Sequence, residues 1–483
     1  MHLAVVQRIL GLLIIIFSVT MLPPVAVALI FRDGMQLAFL EAFGLTLIAG
    51  TMIWFPVRDV TEQLRLRHGF LIVAAFWMGL GAAGSLPFML MNAPGMTFAD
   101  AMFEAMSGLT TTGSTVLTGL DYLPHSVLYY RQQLQWLGGM GIIVLAIAVL
   151  PMLGVGGMQL YRAEMAGPVK DNKLTPRITE TAKALWYIYL GLTITCGVAY
   201  YLAGMSAFDA LCHAFSTVSI GGFSTHDASM GFFDNQLIYA IATVFMFISG
   251  INFSLHFLAL RGKTLGAYFA DPEFRAYAGG LSALSVFVIF YLIVAGEYSS
   301  WTETIDDGLF QVVSIATTTG FTTTDYSAWP GALPVLLLFA SFIGGCAGST
   351  GGGMKVIRAL LLYRQGVREI RRLVHPNARI PVKLGNQTVP PRVIEAVWGF
   401  FAVYVVLFAV MMIVLLADGV DQVTAFSAIA ASLNNLGPGL GEVTFGFGEL
   451  SDKSKWVCIA AMLFGRLEIF TLLVLLSRTF WME

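Results

Sequence analysis

Charge is scarce in this 483-residue sequence. Asp, Glu, Lys and Arg together make up 12% of it, against about 25% in a typical soluble domain. Cysteine is nearly absent. Cys196, Cys212, Cys346 and Cys458 fall in or beside apolar runs without a CxxC pair, so neither a disulfide framework nor a zinc site is suggested. The seven histidines, at positions 2, 68, 125, 213, 226, 256 and 375, are scattered, and no HExxH occurs. The acids lie mostly between the apolar runs. An intramembrane enzyme needs facing carboxylates, a Ser/His pair or a metal motif, and the sequence offers none of these. A purely structural scaffold, in turn, does not account for the repeat described below.

What is abundant is apolar sequence: 57% of the residues are hydrophobic. Stretches of roughly 20 apolar residues, enough to cross about 30 Å of hydrocarbon, recur ten times, near 9–31, 36–56, 69–91, 127–150, 184–204, 236–260, 277–296, 332–354, 394–417 and 456–477. This predicts an all-α polytopic membrane protein. The first run follows Arg8 and contains Ala26-Val27-Ala28, which has the look of a signal-peptide cleavage site. Its length exceeds the h-region of a signal peptide, so a retained helix is expected.

The basic residues set the orientation. With the N-terminus inside, 22 of the 27 Lys and Arg fall on inner segments. These include Arg58, Arg65 and Arg67; Arg162, Lys170, Lys173, Arg177 and Lys183; and nine from Lys355 to Arg392. Only Arg32, Arg131, Lys453 and Lys455 fall outside, and Arg466 lies within the last run. Both termini are therefore expected in the cytoplasm. The outer segments are acidic, with Asp209, Asp227 and Asp234 in one and Glu297, Glu303, Asp306, Asp307 and Asp325 in another. A negative vestibule concentrates cations, although acids also accumulate wherever the inside bias removes bases.

From the third run onward the chain repeats. An apolar span leads to a short outer segment, a glycine-centred turn, a second span and an inner loop. The four aligned segments are "FEAMSGLTTTG" ending at Gly113, "CHAFSTVSIGG" at Gly222, "FQVVSIATTTG" at Gly320 and "SAIAASLNNLG" at Gly437. Ser107, Ser216 and Ser314 stand six residues before the glycine, and Ala431 makes the fourth copy divergent. Asp100, Asp209, Asp306 and Asp421 precede the segments and suit helix N-termini. Helices of about ten residues are too short to span, so each segment is predicted to be a re-entrant loop, protected where all meet around one axis. Glycine permits the return turn, and Thr or Ser before it tolerates extended backbone. The helix C-termini would point inward with partial negative charge. The expected ion-facing carbonyls are Thr111-Thr112, Ile220-Gly221, Thr318-Thr319 and Asn435-Leu436, each pair followed by its glycine. Rings of backbone carbonyls of this kind form potassium-selective filters.

These segments, with "LWYIYL", "GGFSTHDASMG", "FIGGCAGSTGGGMKVIR", "NNLGPGLGEV" and "MLFGRLEIF", resemble the membrane subunit of bacterial Trk potassium-uptake systems, within the Trk/Ktr/HKT superfamily. The resemblance runs over essentially the whole chain. It implies four fused span–pore-loop–span units in pseudo-fourfold order around one pore, after two extra N-terminal helices. The implied divisions are 1–68 for the extra helices and 69–182, 183–275, 276–393 and 394–483 for the units. It further implies K⁺ as the transported ion, bound at Thr111, Thr112, Gly113, Ile220, Gly221, Gly222, Thr318, Thr319, Gly320, Asn435, Leu436 and Gly437. A homodimer in the bacterial inner membrane is implied, with a cytosolic TrkA-type regulatory subunit binding NAD or ATP/ADP, and no nucleic acid. Glycine rather than serine at Gly113 goes with potassium preference in such proteins. The "NNLG" segment departs from "TTTG".

Two further features belong to the middle of the chain's pore. "GGCAGSTGGGMK", Gly344 to Lys355, places six glycines within twelve residues of the eighth apolar run. Each disfavours a helix interior by about 1 kcal/mol, which predicts a broken helix and a loop. A phosphate-binding P-loop is excluded, because Gly353-Met354-Lys355-Val356 lacks the Ser or Thr that must follow its Gly-Lys. Arg466 must face a cavity or a partner, and Glu468, two residues on, does not share its helix face. The resemblance places Arg466 below the filter. The expected gate is thus Gly344, Gly345, Gly348, Gly351, Gly352, Gly353, Lys355 and Arg466. The basic inner stretch with "RQGVREIRRLVH" suits either anionic membrane lipid or a docked regulatory subunit. Gated conduction is expected; the alternative is a proton- or sodium-coupled carrier, for which Glu104, Glu395 and Glu468 are the near-membrane candidates.

Overall fold

Apolar runs with few caps and fewer charges become long helices. The computed structural model describes residues 3–60, 66–91, 96–144, 178–467 and 469–482. Arg65, Arg162, Lys170, Lys173, Arg177 and Glu468, invoked above, lie outside the described residues. In chain order the helices are α1 (Leu3–Ser18), α2 (Leu22–Phe31), α3 (Gln36–Trp54), α4 (Leu66–Leu90), α5 (Phe98–Leu109), α6 (His125–Val144) and α7 (Ile178–Leu202). They continue with α8 (Ala207–Val218), α9 (Gln236–Ser249), α10 (Phe253–Gly262), α11 (Gly266–Ala270), α12 (Pro272–Ala295), α13 (Trp301–Ala316), α14 (Leu333–Ile343) and α15 (Val356–Val374). The last described are α16 (Pro391–Ala417), α17 (Gln422–Asn434), α18 (Asp452–Arg466), α19 (Ile469–Leu476) and the single turn Arg478–Trp481.

Among the described residues six helices are long and apolar enough to cross a membrane, or eight if each of two bent pairs is one span. One bent pair is α9 with α10, which turn by 93° at Ser249–Phe253. The expected run at 332–354 is not one helix. α14 stops at Ile343, Gly344 takes φ +72°, and α15 begins only at Val356. The glycine run breaks the helix, as its composition predicts.

The short helices α5, α8, α13 and α17 are the four expected pore helices. Each packs against both spans of its own unit and against the second span of the unit before it. Thus α8 meets α6, α13 meets α9 and α17 meets α14; α5 meets α18, which closes the cycle from the fourth unit back to the first. This closure is fastened by a largely buried ion pair at the N-terminal ends of α5 and α18, Lys455 Nζ to Asp100 Oδ1 at 2.7 Å. The N-terminal helices α1 to α3 lie against α4 and α6, with Phe17, Met21, Phe39 and Trp77 buried in that seam.

The starts of the pore helices differ from expectation. Asp421 is an N-cap, but Asp100 and Asp209 are third helical residues behind the caps Thr97 and Ser206. Thr97 and Asp100 close a reciprocal capping box, in which each side chain satisfies the other's orphan backbone donor. α13 begins at Trp301, so Asp306 lies inside it. The helices run 12, 12, 16 and 13 residues rather than ten. A short acid at the third helical position serves the same dipole as one at the cap, which is why the acid recurs without marking the boundary.

After α15 the chain forms a two-residue hairpin, Lys383–Leu384 with Gln387–Thr388. Its Val382, Leu384 and Val389 bury against Ile357, Leu361 and Val393, and Ala347 of the glycine-rich loop joins the same cluster.

Candidate ion filter and gate

All four pore helices end in the same way. The amides of Thr112, Gly221, Thr319 and Leu436 donate to the carbonyls of Ser107, Ser216, Ser314 and Ala431, each at 2.8 Å. The amides of Thr111, Ile220, Thr318 and Asn435 donate three residues back, to Gly108, Thr217, Ile315 and Ser432. This pair of bonds is a Schellman helix stop, which normally has glycine at its left-handed position. Here that position is held by Thr111, Ile220, Thr318 and Asn435, with φ of 53°, 56°, 68° and 53°. The expectation of extended backbone at these residues is therefore corrected. Left-handed backbone at a β-branched residue stores strain of order 1–3 kcal/mol, and the surrounding packing enforces it: Thr111, Ile220, Thr318 and Asn435 are all buried.

The filter glycines then close a ring. They have φ of 85°, 80°, 84° and 105° at Gly113, Gly222, Gly320 and Gly437. A Cβ on Gly113 would overlap the carbonyl oxygen of Gly221; on Gly222, that of Thr319; and on Gly320, that of Leu436. On Gly437 it would stand 2.9 Å from the carbonyl oxygen of Thr112. Each segment abuts the next, and the fourth abuts the first. Among the described residues, only the Gly221 carbonyl of the eight expected to face an ion accepts a protein hydrogen bond, from Gln135 Nε2 at 2.6 Å. Buried carbonyls seldom go unpaired, and a ring of them suits a partly dehydrated cation. Above the ring lies a narrow cavity of about 80 Å³, bordered by all four filter glycines and by Ser114, Thr115 and His226.

Side chains missed in the sequence support this ring. Arg131, counted above as an outer base, is 1% exposed on α6 and pairs with fully buried Glu104 of the first pore helix at 2.6 Å. Its other nitrogens donate to the Ser224 carbonyl and to Thr115 Oγ1, both at 3.1 Å, and it covers the Phe223 ring at 4.2 Å. An acid and a base within one apolar unit was the available signal.

Farther out, His226 joins two units. Its Nδ1 lies 2.5 Å from Asp121 Oδ1, its Nε2 lies 3.5 Å from Asp209 Oδ1, and the ring stacks on Phe232. Partial burial pulls its pKa down, but the two carboxylates outweigh this and hold it above the ordinary 6.5. A raised folded pKa gives stabilisation that is full below the unfolded value and is lost as pH rises through the folded one. The thermal midpoint should therefore fall as the pH rises from below 6.5 through the raised folded value, and His226→Gln should flatten that fall. An equal slope in the variant would show that the clasp adds nothing.

Directly below the ring sits the loop Gly344–Lys355. The Gly352 amide donates to Thr318 Oγ1 at 2.7 Å, the Gly353 amide to the Asn434 carbonyl at 3.0 Å, and Thr350 Oγ1 to the Val218 carbonyl at 3.0 Å. These partners are at or next to the inner ends of pore helices two to four. A side chain on Gly352 would overlap the Asn434 carbonyl. Gly345, Gly348 and Gly351 line close approaches to Gly250, Asn252 and Thr317. Lys355 holds φ +80° and donates to the Gly351 carbonyl at 2.7 Å. Arg466 ends α18 with Nη1 on the Thr350 carbonyl at 2.9 Å and Nη2 near the Gly138 carbonyl of the first unit at 3.5 Å. The eight expected gate residues thus come together beneath the ring. Of the near-membrane acids, Glu104 is paired as described and Glu395 is exposed.

Comparison with known proteins agrees with this architecture. The family model described as "TrkH: Cation transport protein" matches residues 35–481. A Trk system potassium uptake protein TrkH of Vibrio parahaemolyticus is 60% identical over 98% of both chains, and that of Escherichia coli K12 is 57% identical over the full length of both. The TrkG protein of the same E. coli strain is 42% identical over 99% of each chain. The crystal structure of the potassium transporter TrkH from Vibrio parahaemolyticus superposes with a TM-score of 0.93, at 56% identity over the whole of both chains.

Proposed function

The chain belongs to the TrkH family of cation transport proteins, and on that premise we propose that it admits potassium to the cell through the carbonyl ring, as a gated conductor. It is a potassium-uptake protein of the Trk type and a transporter rather than an enzyme. The observation that carries the finer reading is the ring itself: four matching helix stops, each presenting a carbonyl beside the glycine of the segment before it. An ion in the outer cavity exchanges water for the carbonyls of Thr112, Gly221, Thr319 and Leu436, and then for those of Thr111, Ile220, Thr318 and Asn435. The C-terminal dipoles of the pore helices favour the positive charge there. Passage inward requires the glycine-rich loop and Arg466 to move, because both lie across the exit. Glycines make that loop deformable, and the Arg466 cation opposes a potassium ion until it shifts.

Coupled carriage calls for a titratable group whose occupancy changes access. Of the candidates the sequence offered that are described, Glu104 is tied to Arg131 and Glu395 is exposed, which favours conduction. The distribution of basic residues supports cytoplasmic termini. The exposed basic face of α15, with Arg368 and Arg372 around Glu369 and with exposed Ile370 and Leu373, is assigned to a cytosolic nucleotide-binding subunit. A second copy of the chain completes the assembly.

The test is radioactive rubidium uptake into proteoliposomes holding only the purified chain. Flux that follows the rubidium gradient alone, and is blocked by potassium but not sodium, is the expected result. A strict need for an imposed proton or sodium gradient would make the protein a coupled carrier. In the same assay Arg466→Ala should raise resting flux several-fold, since it removes the bond to Thr350 and the charge beneath the ring. Unchanged resting flux would take Arg466 out of the gate.

A further inference from the structure

Glu273 is the second residue of α12 and is 3% exposed. An acid in the first turn commonly caps its own helix. That task is already filled, because Asp271 Oδ1 accepts the Phe274 amide at 2.8 Å. Glu273 instead reaches across to the glycine-rich loop. A single oxygen, Oε1, accepts the Ala347 amide at 2.7 Å and the Ile357 amide at 3.1 Å. These two amides stand on either side of the stretch that carries Thr350, Gly351, Gly352, Gly353 and Lys355. The carboxylate therefore draws the two strands of the loop together at its neck.

Besides Arg466 on the Thr350 carbonyl and Lys355 on that of Gly351, further contacts that hold the loop in the same position come from neutral groups. Cys346 donates its amide to the Gly250 carbonyl at 2.8 Å, and Phe253 donates to the Gly348 carbonyl at 3.1 Å. Hydrogen bonds to a carboxylate are roughly twice as strong as neutral ones. A buried carboxylate is also costly to keep unless its bonds do something specific. Here they fix the one segment that the pore must displace to open.

We propose that Glu273 is a positioning residue, the latch that holds the intramembrane loop shut. The inference rests on the reading of that loop as the gate. Opening breaks at least one of the two bonds, or moves the first turn of α12 together with the loop. In either case the loop's resting position depends on this side chain, whose described bonds reach the loop's amides and not the filter carbonyls.

The experiment compares Glu273→Ala, Glu273→Gln and Arg466→Ala in the full-length protein by single-channel recording in planar bilayers. Glu273→Ala is expected to raise open probability several-fold, with single-channel current and rubidium-over-sodium selectivity unchanged. Glu273→Gln keeps a weaker neutral acceptor and should give a smaller rise. A second readout uses Cys346, which is fully buried within the loop. In a background where Cys196, Cys212 and Cys458 are replaced by Ala, a methanethiosulfonate reagent should modify Cys346 several-fold faster in Glu273→Ala than in the parent. Native open probability and native Cys346 protection in Glu273→Ala, alongside a leaking Arg466→Ala, would overturn the latch and leave the gate standing. If neither variant leaks, the gate reading itself fails. Should Glu273→Ala not fold, Glu273→Gln decides, and an unaltered open probability in it overturns the latch.

Discussion

Gly320→Ala is expected to reduce potassium-blockable rubidium uptake by at least about ten-fold while costing the fold more than about 1 kcal/mol. Two effects act at this position and they can be separated. The first is backbone strain, because Gly320 has φ +84°, where an L side chain is disfavoured. The second is collision: the new Cβ would overlap the Leu436 carbonyl oxygen and stand 2.7 Å from Pro438 Cδ. That carbonyl is one the ion is to meet, so displacing it spoils the ring even where the helices stay packed. Gly296→Ala is the matched control. Gly296 has φ +68° at the C-terminal end of α12, yet among the described residues nothing lies within 4 Å of a Cβ built there. It carries the same strain without the collision and should transport almost normally. Equal losses in the two variants would mean that strain, not ring geometry, sets transport.

Much of this ring is legible in the sequence because its register is written in one residue type. The glycines align four segments, and the structure brings all four together. The divergence assigned to the fourth segment proves smaller than it looks. Ala431 replaces the serine found in the other three, but the recurring bond uses the backbone carbonyl at that position, which alanine supplies equally. Among the described residues the hydroxyls of Ser107 and Ser216 find no partner, and that of Ser314 alone is used, on the Phe321 carbonyl. What the pattern hides is the left-handed residue two before each glycine. Thr111, Ile220 and Thr318 are among the residue types least suited to that backbone, so local propensity points the wrong way and tertiary packing decides. Asp306 misleads for a related reason, since α13 begins a turn and a half earlier without needing the acid at its start. Glu273 is illegible for a different reason. Its partners stand 74 and 84 residues away, and no periodicity links a first-turn glutamate to amides that far along the chain.

The same limit explains Arg131, and its pair with Glu104 carries the largest expected effect on stability. Glu104→Gln leaves a guanidinium that is 1% exposed without its counter-charge. Breaking a buried pair from one side typically costs 3–5 kcal/mol, roughly. More than the pair is lost. Glu104 also accepts the Thr115 hydroxyl and the Val116 amide at 3.0 Å, and Arg131 in turn holds the Ser224 carbonyl. Thr115 and Ser224 each lie two residues beyond a filter glycine, so the pair braces the outer rim of the first two segments. An uncompensated positive charge there would also repel an arriving cation. Glu104→Gln should therefore lower both the thermal midpoint and rubidium uptake. The double variant Glu104→Leu with Arg131→Met separates the two losses. Packed apolar residues often match a buried pair in stability, so the midpoint should recover, but Leu and Met cannot hold Thr115, Val116 or Ser224. Uptake should thus recover only in part. Full recovery of uptake would show that the pair matters through its charge balance alone, and a native midpoint in Glu104→Gln would show that the buried pair stabilises nothing.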